Sequence, residues 1–155
     1  MITPTRQAKN FIALFLLGCL VTCLSSLVGN AQSDEQAGVR HVVEQFFAAF
    51  QKKDLPGVMA LWSEKSPDLV AGRQTMQQTF ARYRTIEVKN PGLDKITVET
   101  NKATVQLIGE LSVVRMQMSA PATALRMSWT IELVKETGGW KILSQALFTS
   151  KRLTI

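Results

Sequence analysis

At Thr85 the hydrophobic period of the chain changes: apolar residues recur at three- and four-residue spacing before it and alternate with polar ones after it. The first helix is expected from Asp34 to Lys53, where Val39, Val42, Val43, Phe46, Phe47 and Phe50 make a wide apolar stripe. Ser33 and Asp34 suit its N-cap, and Lys52-Lys53 suit the negative end of its dipole. Asp54 then caps a shorter helix, Leu55 to Glu64, with Pro56 in the first turn, where a missing N–H costs nothing. After a Ser66-Pro67-Asp68 loop, a third helix is predicted over Arg73–Arg84, burying Met76, Phe80 and Tyr83.

The alternating half yields strand candidates Thr85–Lys89, Lys95–Thr100, Ala103–Met118, Ala124–Lys135 and Trp140–Ser150. Turn signals separate them at Asn90-Pro91-Gly92, Asn101-Lys102, Ala120-Pro121 and Gly138-Gly139. The apolar faces are Val105, Leu107, Leu111 and Val113, then Leu125, Met127, Trp129, Ile131 and Leu133, then Trp140, Ile142, Ala146 and Phe148. Gly109 interrupts the longest strand and marks a bulge or bend. Three helices followed by antiparallel strands give an α+β fold, with the helices packed over one face of a curved sheet.

Residues 1–31 read as an export signal: Arg6 and Lys9 precede the apolar run Phe11–Val28, and small residues close it at Gly29 and Ala31. Three outcomes stay open. The chain is cleaved after Ala31, or Cys19 of Leu16-Leu17-Gly18-Cys19 is lipidated, or the run is kept as a membrane anchor. Each places residues 32–155 outside the cytoplasm, periplasmic or extracellular, with membrane contact only through residues 1–31. Cleavage after Ala31 removes both cysteines, Cys19 and Cys23, and with them thiol nucleophiles, thiolate metal sites and disulfides. It also removes two of the positive charges behind the formal net charge of +6. The remaining charges are spread along the chain, without the dense basic stripe and interleaved aromatics of nucleic-acid binding.

The segments Val42-Val43-Glu44-Gln45-Phe46-Phe47-Ala48-Ala49-Phe50, Asp54-Leu55-Pro56-Gly57-Val58-Met59-Ala60-Leu61-Trp62 and Gly139-Trp140-Lys141-Ile142-Leu143-Ser144, in this order, resemble the nuclear transport factor 2-like superfamily. That group includes ketosteroid isomerases and SnoaL-like polyketide cyclases. The resemblance covers the chain beyond the leader. It implies a cone, in which three N-terminal helices close over the concave face of a curved antiparallel sheet around a cavity. It also locates the isomerase groups. Phe46 stands where the oxyanion tyrosine would be, and Val70 stands at or near the position of the aspartate base. Neither side chain can exchange a proton. The nearest acid to the family's second donor, Glu132, falls on the outer face by alternation. Isomerase chemistry is therefore not expected.

The catalytic candidates that remain are Asp68, Tyr83 and His41. Asp68 points inward only if its segment is extended, and otherwise sits in a solvated turn. His41, the single histidine, lies off the apolar stripe. Trp62, Tyr83, Arg115 and Trp129 are candidate ligand-binding residues: the first two each offer one hydrogen bond near the mouth of the cone, and Arg115 suits an anion. Trp129, Met116, Met118 and Met127 would supply apolar walls, or simply pack the core. No metal site and no cofactor are expected. The function read from these residues is an exported, non-catalytic domain. It binds a small apolar molecule in the cone, or associates with another protein or with itself as a homodimer through the sheet face. The alternative is a SnoaL-like enzyme acting on a hydrophobic substrate.

Overall fold

The computed structural model describes residues 32–117 and 123–152. The expectations for residues 1–31, Met118 and the Ala120-Pro121 turn lie outside the described residues. Helix α1 spans 32–51. Its far end is closed by Lys53 at φ 58°, and the Asp54 N–H donates back to the Ala49 carbonyl at 3.0 Å. Asp54 then caps α2, Leu55–Ala60, its Oδ1 accepting from the Gly57 N–H at 3.0 Å with Pro56 in the first turn. This helix ends earlier than expected because Leu61 to Ser63 turn to pair with the sheet. The Ile142 N–H donates to the Leu61 carbonyl and the Ser63 N–H to the Ile142 carbonyl, both at 2.8 Å. Helix α3, Leu69–Arg82, begins four residues before the expected Arg73 and buries Gly72, Met76 and Phe80.

The sheet is one antiparallel meander, β1-β2-β3-β4. Its strands are β1 Tyr83–Glu99, β2 Lys102–Arg115, β3 Thr123–Glu136 and β4 Gly139–Arg152. Two sequence expectations are corrected here. Thr85–Lys89 and Lys95–Thr100 are one strand, because Asn90-Pro91-Gly92 makes a bulge and not a turn. The register passes from Lys89↔Glu110 to Gly92↔Ile108, so the extra residues sit opposite Gly109, and Asn90 takes a left-handed conformation (φ 49°). The second correction concerns the face of the last strand. Leu133 pairs with Ile142 but Glu132 pairs with Ser144, which leaves Leu143 as a bulge residue. Beyond it the alternation changes phase. Ala146 falls opposite outward-facing Thr130 and Phe148 opposite Ser128, while Gln145 and Leu147 fall opposite Ile131 and Trp129 on the helix-covered face.

The core lies between the helices and that face. Val39, Phe46, Val58, Val105, Ile131 and Ile142 are fully buried. The apolar faces expected for β2 and β3 are as predicted, with Val105, Leu107, Leu111, Val113, Met127, Trp129, Ile131 and Leu133 all buried. Among the described residues no helix is long and apolar enough to cross a membrane.

Candidate functional site

The concave space expected to hold a ligand is occupied by the protein's own rings. Helix α1 presents Phe46, Phe47 and Phe50 on one face because they fall at adjacent and three- or four-residue spacings. Phe47 packs against Trp129 with centroids 5.3 Å apart, Phe50 meets Trp129 edge-on at 6.2 Å, and Phe50 meets Phe80 of α3 at 5.7 Å. Phe46 stacks on Phe50 at 5.9 Å. Such offset and edge contacts each add about 0.5–1.5 kcal/mol to plain burial. Trp129, a candidate ligand contact, is therefore a central packing residue.

The catalytic candidates are not brought together. His41 is exposed on α1, with the Gln45 amide nitrogen 3.0 Å from its Nε2. Asp68 is exposed at the start of α3; its N–H donates to Ser66 Oγ at 3.1 Å and its carbonyl accepts from the Gly72 N–H at 2.7 Å. Tyr83 is half-buried at the α3–β1 junction, its carbonyl accepting from Lys53 Nζ at 2.9 Å. The isomerase positions do not supply a substitute: Phe46 is fully buried, and Val70 is 71 % exposed on the first turn of α3. Glu132 faces outward, accepting from Ser144 Oγ at 2.9 Å. Among the described residues no three His, Asp or Glu side chains group as a metal site requires.

Of the ligand candidates, Tyr83 and Arg115 are partners in the β1–β2 register. Trp62 stands apart, held by the bridge to Ile142 and buried against Gly72 of α3. A Cβ at Gly72 would come within 2.9 Å of the indole, so a glycine is needed there. The Trp62 Nε1–H is buried without a hydrogen-bond partner, and so is Gln145 Oε1. A donor and an acceptor left in this state are each unfavourable by about 1–3 kcal/mol.

Among the described residues, two openings of about 300 Å³ or more lie beside the filled core. One is a cleft of about 320 Å³ between α1 and the bulged part of β1, floored by Val43, Phe47, Leu93 and Leu107 and edged by Arg40 and Glu44. Small-molecule sites begin at about this volume and are mostly apolar with a few polar groups. Gln51 also lines it and ties α1 to β1, its Oε1 accepting from the Val88 N–H at 2.9 Å. The other is a polar groove of about 550 Å³ where the end of α3 meets the end of β2, lined by Gln78, Arg82, Arg115, Met116 and Gln117. The α1 flank facing β1, Arg82 and Gln145 were not singled out by the sequence. For Gln145 a signal was present: the adjacent apolar pair Ile142-Leu143 breaks strict alternation.

Residues 39–147 match the SnoaL-like domain family. No curated protein sequence matches the chain. Among solved structures, a conserved protein from Planctomyces limnophilus is similar at 15 % identity and TM-score 0.66, covering 76 % of this chain and 99 % of its own. A nuclear transport factor 2-like superfamily protein from Salmonella enterica is similar at 13 % identity and TM-score 0.64, with 80 % and 96 % covered. A Novosphingobium aromaticivorans protein proposed to be a scytalone dehydratase is similar at 16 % identity and TM-score 0.66, with 79 % and 89 % covered. At these identities the likeness is one of fold. The family match spans well over half of the chain, which therefore belongs to the SnoaL-like domain family.

Proposed function

We propose that this chain is an exported, non-catalytic SnoaL-like domain that binds a small, mainly apolar molecule in the cleft between α1 and β1–β2. The observation that carries the reading is the cleft itself: about 320 Å³, with Val43, Phe47, Leu93 and Leu107 as its floor. Its polar edge, Arg40 and Glu44, sits one helical turn apart and suits orientation of a ligand's single polar group. The absence of catalysis is supported by placement. Asp68 and His41 are exposed on separate elements, so they do not form the convergent acid–base group that turnover needs. Export is supported by the charged, apolar and small-residue order of residues 1–31.

The cleft is tested with N-phenyl-1-naphthylamine, whose fluorescence rises in apolar surroundings. The protein is expected to bind it, and Ala48→Trp, an exposed change in the cleft wall, to abolish binding without lowering the melting temperature. Dye binding that survives Ala48→Trp would place the apolar site elsewhere and overturn the reading. So would turnover of a screened hydrophobic substrate that Asp68→Asn abolishes. Native mass spectrometry of protein taken from its own compartment reads the mature N-terminus, any retained ligand and the number of copies together.

A further inference from the structure

We infer that the groove between the end of α3 and the end of β2 is a second binding site, for the oxyanion of a small amphiphile. Its two cations are set by the backbone. Arg82 is the last residue of α3 and Arg115 the last of β2. The Met116 N–H donates to the Arg82 carbonyl at 3.0 Å, which fastens the two chain ends side by side. The register pair Tyr83↔Arg115 repeats that connection one residue on. Two guanidinium groups are thus mounted on neighbouring, hydrogen-bonded main chain, not on separate loops.

Both arginines line this one groove. Among the described residues no carboxylate lines it with them. Among the described residues neither arginine side chain is in an ion pair or hydrogen bond, so both forks are free to accept a ligand. Guanidinium forks match the two oxygens of a carboxylate or phosphate. Gln78 and Gln117 supply neutral donors in the same groove. Ala81 and Met116, the latter 56 % exposed, offer contact for an aliphatic body. The volume, about 550 Å³, exceeds what a lone inorganic anion requires. The site is separate from the α1–β1 cleft and does not depend on it.

Octanoate, inorganic phosphate and octanol are the probes, and the Met116 methyl resonance is the reporter, with buried Met59, Met76 and Met127 as internal controls. Octanoate is expected to shift Met116 saturably and octanol not to. Phosphate should displace octanoate, because both use the same oxyanion contacts. Arg82→Gln and Arg115→Gln should each weaken octanoate by about threefold to fivefold, and raised salt should weaken it further. Ala48→Trp should leave the octanoate response intact, which separates this site from the cleft. The inference is overturned if octanol shifts Met116 as octanoate does. It is equally overturned if the Arg82→Gln, Arg115→Gln double variant binds octanoate unchanged. Both arginines are exposed, so the double variant is expected to fold, and its unshifted control methionines verify that.

Discussion

Gln145 shows how one side chain can be placed by a distant backbone event. It lies opposite fully buried Ile131, and its Oε1 is buried with no hydrogen-bond donor. Removing an unpaired acceptor returns its desolvation cost, so Gln145→Met, nearly the same shape, should be neutral or stabilising by up to about 1 kcal/mol. Thermal unfolding checks this. A fall in stability beyond about 1 kcal/mol would mean that the carbonyl has a partner, such as a bound water. Phe46 shows a side chain committed wholly to packing: its ring is fully buried and contacts those of Phe47 and Phe50 at 5.5 and 5.9 Å.

The bulge in β4 earns its place by holding the α2–α3 segment to the sheet. Leu143, the extra residue, directs its carbonyl to Ser66 Oγ, and Ser66 in turn accepts from the Asp68 N–H at 3.1 Å. Ser66 is buried, so Ser66→Ala strands a carbonyl and an N–H together and should destabilise by about 1–3 kcal/mol in urea unfolding. A variant as stable as the parent would show that water replaces both bonds. The neighbouring Ser63, fully buried, donates to Glu136 Oε1 at 2.7 Å and fixes the same segment to the end of β3. These anchors were not legible in the sequence, because each joins residues more than seventy positions apart. What was legible is what local spacing encodes: the α1 stripe from Val39 to Phe50, the Asp54 cap, and the alternating faces of β2 and β3. Both misread strands failed at bulges. Asn90-Pro91-Gly92 has the composition of a turn, and only its pairing across from Gly109 makes it a continuation. The site was harder to read for the same reason. The cleft borrows one wall from the flank of α1 and the other from the bulged strand, and neither carries a pattern of its own.

At the scale of the whole molecule, the ligand-sized openings among the described residues lie beside a centre filled by rings. The centre is filled because α1 contributes three phenylalanines, and Trp129 and Phe80 pack against them. Phe47 is the partition between the two spaces: it packs on Trp129 at 5.3 Å on one side and floors the α1–β1 cleft on the other. Phe47→Ala should therefore do two opposite things. It should destabilise the fold by about 3–5 kcal/mol, the usual cost of deleting a buried ring. It should also extend the cleft inward to Trp129, so that N-phenyl-1-naphthylamine binds more tightly than to the parent and quenches tryptophan emission. An apolar cavity of this kind stays dry and accepts apolar guests. Phe46→Ala, equally buried but absent from the cleft lining, should carry the same stability loss without the gain in binding. If both variants gained affinity alike, general loosening of the core would explain the effect. If neither did, Phe47 would not be the wall between cleft and core.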